Sequence, residues 1–406
     1  MTAATSATAH QHRGLATLLA ALSAIGPFST DAYLPSLPEI GRVFNATPVV
    51  VQQTLTAYMV PFAAMTLWHG AISDSLGRRH VTLGALVMFF LASVGCALSW
   101  NIESLLLFRG LQGMTAGAGM VIGRAIVRDV LHGAEAQRLM ARIALVFAIA
   151  PALGPVLGGW LHVWFGWRSV FVFLALFTAG VWFWCWRALP ETLHHEHRQS
   201  LALDHLARSY WLVLHTAPFM ALTIAVTLNF AAVFLYIVSA PAFLINHLHV
   251  GDTGYLWLFG PITLGIMVGS GLSSRAAGRL TPGLTVAWGY GIMAVAAGAN
   301  LLFHLFVPPR LPWSVLPIFV YVGGSGLAMP SLTLMALDLF PRQRGLAASC
   351  QGFIQSSGNA AITAVVAPLV WGSALSLAAS QTVILFLGLG TFFLCRRLVP
   401  REHLGH

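Results

Sequence analysis

A dozen long apolar runs, separated by short polar connections that carry most of the arginines, constrain this chain more than any other feature. A membrane-crossing helix needs about 20 largely apolar residues. Such runs fall near 15–37, 49–71, 81–99, 103–127, 139–161 and 169–187, then near 215–240, 254–274, 283–305, 312–337, 346–371 and 379–395. With 8% charged residues, the chain lies far outside the roughly 25% of a soluble domain. The expected fold class is an all-α membrane protein of twelve transmembrane helices. The first run holds Pro27 and Asp31 and ends in PSLP, with no small-residue cleavage site, so it reads as a retained helix and not a signal peptide.

The arginines orient the runs. With the N-terminus inside, the cytoplasmic connections receive most of them, including Arg13, Arg78, Arg79, Arg187, Arg275, Arg279, Arg344 and Arg397, while the opposite side receives only Arg42, Arg168 and Arg310. That asymmetry satisfies the positive-inside rule and places both termini in the cytoplasm. The net charge of +9 is spread singly or in pairs between apolar runs. It forms no basic stripe with interleaved aromatics, so no nucleic-acid partner is expected.

The polar stretch from Leu189 to Tyr210 divides the runs six and six. The expected organisation is an N-terminal six-helix bundle over residues 1–187, a central cytoplasmic loop over 188–214 and a C-terminal six-helix bundle over 215–406. A repeat supports duplication: Gly70-Ala-Ile-Ser-Asp74-Ser-Leu-Gly77-Arg78 follows the second run, and Gly271-Leu-Ser-Ser-Arg275-Ala-Ala-Gly278-Arg279 follows the eighth. Recurrence at the same place in each half suits two similar bundles related by an axis along the membrane normal.

Asp31 is the one carboxylate within the body of an apolar run. An ionisable group in hydrocarbon costs a few kcal/mol even on lenient scales, so it marks a functional centre. Arg109 interrupts the fourth run about six residues from its outer end, and Asp31 lies about seven from the outer end of the first. At about 1.5 Å per residue both are roughly 10 Å deep, a depth that suits a shared cavity better than a snorkelling arginine. Arg124, nearer the cytoplasmic face, suits snorkelling.

In the loop after the second run, Gly70 and Gly77 allow a tight turn, Asp74 can face a helix N-terminus and Arg78 pairs with a nearby acid, for which Asp129 is the candidate. The alternative is that Arg78 and Arg79 only set topology. Gly154, Pro155, Gly158 and Gly159 in the fifth run permit a kink and a close helix contact. Gly117, Gly119 and Gly123 have no preceding strand and read as packing glycines, not a dinucleotide loop. The run His194, His195, Glu196, His197 reads as solvated loop, and the four cysteines as packing residues, so no metal or disulfide framework is expected. Thr56, Tyr58, Phe230, Phe234 and Tyr236 are candidate cavity-lining groups, with ordinary membrane packing the alternative for the aromatics.

These stretches resemble the major facilitator superfamily, and within it the bicyclomycin and chloramphenicol resistance (Bcr/CflA) branch of twelve-helix drug:proton antiporters. The resemblance runs through STDAYLPSLP, LTAY, GAISDSLGRR, LLLFRGLQG, GPVLGG, GWRSVF and LPET. It implies that Asp31 is the protonatable carboxylate, Arg109 its embedded basic partner, Gly70 to Arg79 a cytoplasmic gate latch, and Gly154 to Gly159 the antiporter motif. The chain departs from the family pattern at Ala71, Ser75 and His80, which touches the latch and not Asp31.

The implied function is a proton-coupled exporter of small hydrophobic drugs or metabolites in the bacterial inner membrane, working by rocking of two bundles around a central cavity. A carboxylate that gains and loses its proton as its surroundings open to either side makes proton and substrate compete for one site. The partners are then a small molecule, protons and the bilayer, for a monomer driven by the proton gradient without a cofactor. A same-fold uptake transporter or facilitator is the alternative. A receptor would need an appended soluble domain, and no nucleophile, acid–base or metal cluster at common depth suggests an enzyme.

Overall fold

A computed structural model describes residues 2–130, 139, 153–193, 203–251, 253–341 and 343–398. The chain divides into two compact units, Met1–Ala202 and Leu203–His406.

In the first unit α1 (Thr2–Asp31) ends in a short 3-10 turn, Leu34–Ser36, and a helix α2 (Leu37–Val43). The chain continues through α3 (Pro48–Leu76), α4 (Arg78–Ala97), α5 (Ile102–Ala116), α6 (Ala118–Val130), α7 (residues 153–165) and α8 (Arg168–Ala188). The fourth apolar run, expected as one helix, carries a single turn residue, Gly117, between Ala116 and Ala118 and still forms one candidate span, Ile102–Val127. There the Gly117 N–H turns back to the Thr115 carbonyl and the straight helical ladder is interrupted. α3 packs on α5, and α4 on both α5 and α8.

The second unit comprises α9 (Leu203–Leu214), α10 (Ala217–Val238), α11 (Leu256–Ala276), α12 (Pro282–Phe306), α13 (Leu316–Asp338), α14 (Arg344–Ala361), α15 (Ala367–Val370) and α16 (Ala374–Leu398). A wider helical turn, Ile362–Val366, joins α14 to α15. The stretch expected as a loop up to residue 214 therefore carries a helix. Its apolar residues Leu203, Leu206, Tyr210 and Val213 recur at helical spacing, and α9 packs on α10 and α14. α13 is the centre of this unit, touching α10, α11 and α12. Small residues permit that approach: a Cβ on Gly269 would lie 2.1 Å from the Gly323 carbonyl oxygen, so α11 and α13 touch backbone to backbone.

Among the described residues, nine helices are long and apolar enough to cross a membrane. α1 and α3 are also long, but they are more polar, and α3 carries Gln52, Gln53, Thr54, Thr56 and His69 along its length. The first part of the fifth expected run and His194, His195, Glu196 and His197 lie outside the described residues.

Candidate functional site

The last residue of α1 is Asp31, and it is buried. Its carboxylate has no hydrogen-bond or ion-pair partner among the described residues. Pro27 sits in the last turn of α1, and the chain leaves the helix just beyond Asp31. Facing this end is α7, which the glycines bring onto the backbone. A Cβ on Gly154 would fall 2.9 Å from Asp31 Cβ, and one on Gly158 would fall 2.0 Å from the Ala32 carbonyl oxygen. The glycine–proline element thus forms the wall against which the carboxylate is seated. Pro155 stands one residue after Gly154 and Gly159 one after Gly158.

Arg109 is fully buried on α5. Its Nη1 donates to the Ser29 carbonyl and to Ser29 Oγ, each at 3.2 Å, and to Gln112 Oε1 at 2.5 Å. Gln112 in turn donates from Nε2 to Ser93 Oγ at 2.8 Å, tying α5 to α4. The guanidinium carbon lies 4.4 Å from the Tyr58 ring centroid and 4.7 Å from that of Tyr33, with Phe171 at 5.9 Å. Ring faces and carbonyl oxygens therefore hold this cation. No ion pair joins it to Asp31; it grips α1 two residues upstream. Arg109 Nε and Nη2 have no hydrogen-bond partner among the described residues, which leaves donors that an incoming acceptor can take.

The tyrosines complete the arrangement. Tyr58 donates from its hydroxyl to the Gly26 carbonyl at 3.2 Å and stacks on Phe62. Tyr33 shares a 2.7 Å hydrogen bond with Thr54. Thr56, also on α3, has a buried hydroxyl without a partner among the described residues. In the second unit Phe230 and Phe234 are paired at 5.9 Å, with Phe230 the more exposed. Tyr236 is fully buried within that unit and accepts from Asn300 Nδ2 at 2.8 Å, while Asn300 also reaches Gln381.

The stretch expected as a loop is helical to Leu76, with Gly77 alone between α3 and α4, and this junction forms a second polar cluster. Gly77, at φ 98°, lies in the backbone region that favours glycine and lets α4 start immediately. Arg78 is buried: it pairs with Asp74 through Nη1 and with Asp129 through Nε at 3.1 Å, and donates to Ser73 Oγ at 2.6 Å. Gly70 lies one turn back on α3 and accepts from Ser73 Oγ at 2.9 Å. Arg79 Nη2 donates to the Trp186 carbonyl at 2.8 Å.

Sequence reasoning assigned no role to Glu191, although it stands in the LPET stretch. It accepts the backbone N–H groups of Arg78 and Arg79 at 2.9 and 3.2 Å, one on each carboxylate oxygen, and so caps α4 from across the unit. Partial burial pushes its carboxyl upward. The N–H groups of Leu193, Arg78 and Arg79 and the His80 ring outweigh that and hold it below the usual glutamate value. Thr192 donates to Asp129 at 3.0 Å, so the LPET stretch closes the cluster from the end of α8.

The sequence model of the Major Facilitator Superfamily covers residues 18–363. The chain belongs to the major facilitator superfamily. Among its relatives, the chloramphenicol resistance protein of Pseudomonas aeruginosa is 30% identical over 296 residues, 70% of this chain and 67% of that one. A bicyclomycin resistance protein homolog of Haemophilus influenzae is 25% identical over 356 residues, 86% of this chain and 88% of that one. The crystal structure of a D-xylose-proton symporter has the same fold, with a TM-score of 0.75 at 14% identity over 95% of this chain and 98% of that one. This superfamily member is a membrane transporter of the branch that contains bicyclomycin and chloramphenicol resistance proteins.

Proposed function

We propose that the chain is a proton-coupled exporter of small, mostly hydrophobic drugs or metabolites in the bacterial inner membrane, with Asp31 carrying the exchanged proton. The observation that carries this reading is Asp31 itself: a buried carboxylate without a partner among the described residues, at a helix end, with its Cβ packed against Gly154 of α7. A group fixed in an ion pair would resist titration, whereas this one has no cation to break from among the described residues. Arg109 acts as a positioning residue that binds α1 through Ser29 and offers free N–H groups.

Twelve spans with both termini inside, arranged as bundles over 1–187 and 215–406 joined by 188–214, operate by alternating access as a monomer. Thr56 and Tyr58, with Phe230, Phe234 and Tyr236 from the second unit, contribute to the substrate path. The Gly70 to Arg79 loop with Asp129 latches the cytoplasmic side. The energy source is the proton gradient, with no cofactor. One charge moving through 100 mV releases about 2.3 kcal/mol, so one inward proton at about 150 mV sustains roughly a few-hundred-fold gradient of a neutral substrate.

Drug resistance of the two relatives supports export over uptake. The direction is tested in inverted vesicles energised to an acidic interior. Antiport gives interior alkalinisation on adding substrate, and an uptake symporter or facilitator gives no proton release against substrate entry.

A further inference from the structure

The duplicated loop differs between the two units in one respect that the sequence repeat makes visible. In the first unit Asp74 and Asp129 neutralise Arg78, and the Glu191 carboxylate sits on the backbone N–H groups that open α4. In the second unit Arg275 stands where Asp74 stands, and Arg279 where Arg78 stands. The turn itself is conserved in form, with Gly278 at φ 77° and Gly77 at φ 98°. Yet neither Arg275 nor Arg279 has an ion pair among the described residues. At the matching place lies a cavity of about 660 Å³, lined by Ser270, Ser273, Ser274, Arg279, Thr281 and Ser331 with no carboxylate in its wall. It opens beside Thr281, Pro282 and Thr285 at the N-terminus of α12. Ser273 is 8% exposed, lines this cavity, and its hydroxyl has no partner among the described residues.

We propose that this cavity binds a phosphate group, supplied by an anionic phospholipid headgroup of the cytoplasmic leaflet or by free phosphate, in the role that Glu191 fills in the first unit. The chemistry is that of an oxyanion. A guanidinium provides directional donors, several hydroxyls provide short neutral ones, and the helix N-terminus adds positive potential. The cavity size falls within the range of small-molecule sites, roughly 300–1,000 Å³. Bound there, the anion closes the loop of the second unit as the protein's own carboxylate closes that of the first. The lipid source rests on the cytoplasmic placement proposed above. Because the test reads binding and not flux, its failure leaves the antiport reading standing, and the converse holds as well.

The test uses the full-length protein, delipidated in detergent, titrated with phosphatidylglycerol, with diacylglycerol of the same chains and with inorganic phosphate. The readouts are the melting midpoint and the bound species in native mass spectrometry. Wild type is compared with Arg279→Gln in the exposed loop, Ser273→Ala in the buried wall of the cavity, and Arg310→Gln as a control remote in sequence. Phosphatidylglycerol is expected to raise the midpoint where diacylglycerol does not. Its apparent affinity is expected to fall about tenfold in Arg279→Gln and measurably in Ser273→Ala, and to stay unchanged in Arg310→Gln. Stabilisation by inorganic phosphate equal to that by the lipid, with the same variant pattern, identifies free phosphate as the source. Equal stabilisation by diacylglycerol, or wild-type lipid and phosphate affinity in both Arg279→Gln and Ser273→Ala, overturns the proposal.

Discussion

A methyl group added at Gly158 strikes the contact on which the seat of Asp31 depends. The new Cβ would lie 2.0 Å from the Ala32 carbonyl oxygen and 2.8 Å from Ala32 Cα, both backbone atoms that cannot rotate away. Ordinary contact begins near 3.4 Å, and 3.4 minus 2.0 Å leaves about 1.4 Å by which α7 and the end of α1 must separate. Overpacking of this kind costs about 1–3 kcal/mol. Should that strain fall on one transport state and spare another, the conformational equilibrium moves by about 5- to 150-fold. Gly158→Ala is therefore expected to lower the melting midpoint of the purified protein and to cut proton-driven substrate flux by about tenfold or more. Gly180→Ala on α8 is the control, because a Cβ there meets nothing within 4 Å; it should behave as wild type in both assays. Wild-type midpoint and flux in Gly158→Ala would show that α7 is not seated on α1 in this way.

Arg109→Lys should lose coupled transport while still inserting. An ammonium cannot keep the planar stack on Tyr58 and Tyr33 together with the bonds to Ser29 and Gln112; normal antiport in both Arg109→Lys and Arg109→Ala refutes its positioning role. Glu191→Gln should slow transport a few-fold with substrate affinity retained, because the latch acts on the conformational equilibrium and not on substrate. The Glu191 carboxyl is held below its ordinary value, so its contribution is fully present at neutral pH, begins to fade as pH falls past the usual glutamate value of about 4.3, and is lost once pH falls through the depressed one. Melting midpoints measured against pH should show this acid-side loss in wild type and its absence in Glu191→Gln.

Local features made much of this legible beforehand. Apolar runs of sufficient length mark the helices, and the junction of α3 and α4 carries its turn glycine, Gly77, with Asp74, Arg78 and Arg79 close beside it in sequence. Asp129 is the acid for Arg78 that the sequence offers because it stands in the next cytoplasmic connection, and the structure places it at 3.1 Å. What remained illegible depends on partners distant in sequence. Glu191 reads as an ordinary residue after a helix until α8 brings it to the start of α4, 113 residues earlier. Arg109 and Asp31 suggest a shared cavity by their depth alone, whereas side-chain direction takes the guanidinium to Ser29, Gln112 and two tyrosine faces. The turn residue Gly117 leaves no mark in a run whose apolar content continues through it, and a polar composition hides the helical spacing of α9. Tyr236 was chosen for its aromatic ring, but its hydroxyl binds Asn300 inside the second unit, a pairing of α10 with α12 that no spacing along one helix reveals.

Asp31→Asn tests the central claim most directly, since it preserves side-chain volume and removes the titratable group. Purified wild type and variant are reconstituted into proteoliposomes with an imposed pH gradient, and drug flux and internal pH are followed together. Wild type should move drug and protons in opposite directions; the variant should bind neutral substrate with weakened pH dependence, and show neither proton-driven accumulation nor substrate-dependent proton movement. Undiminished proton-driven drug flux in correctly folded Asp31→Asn protein would contradict the assignment of the exchanged proton to Asp31.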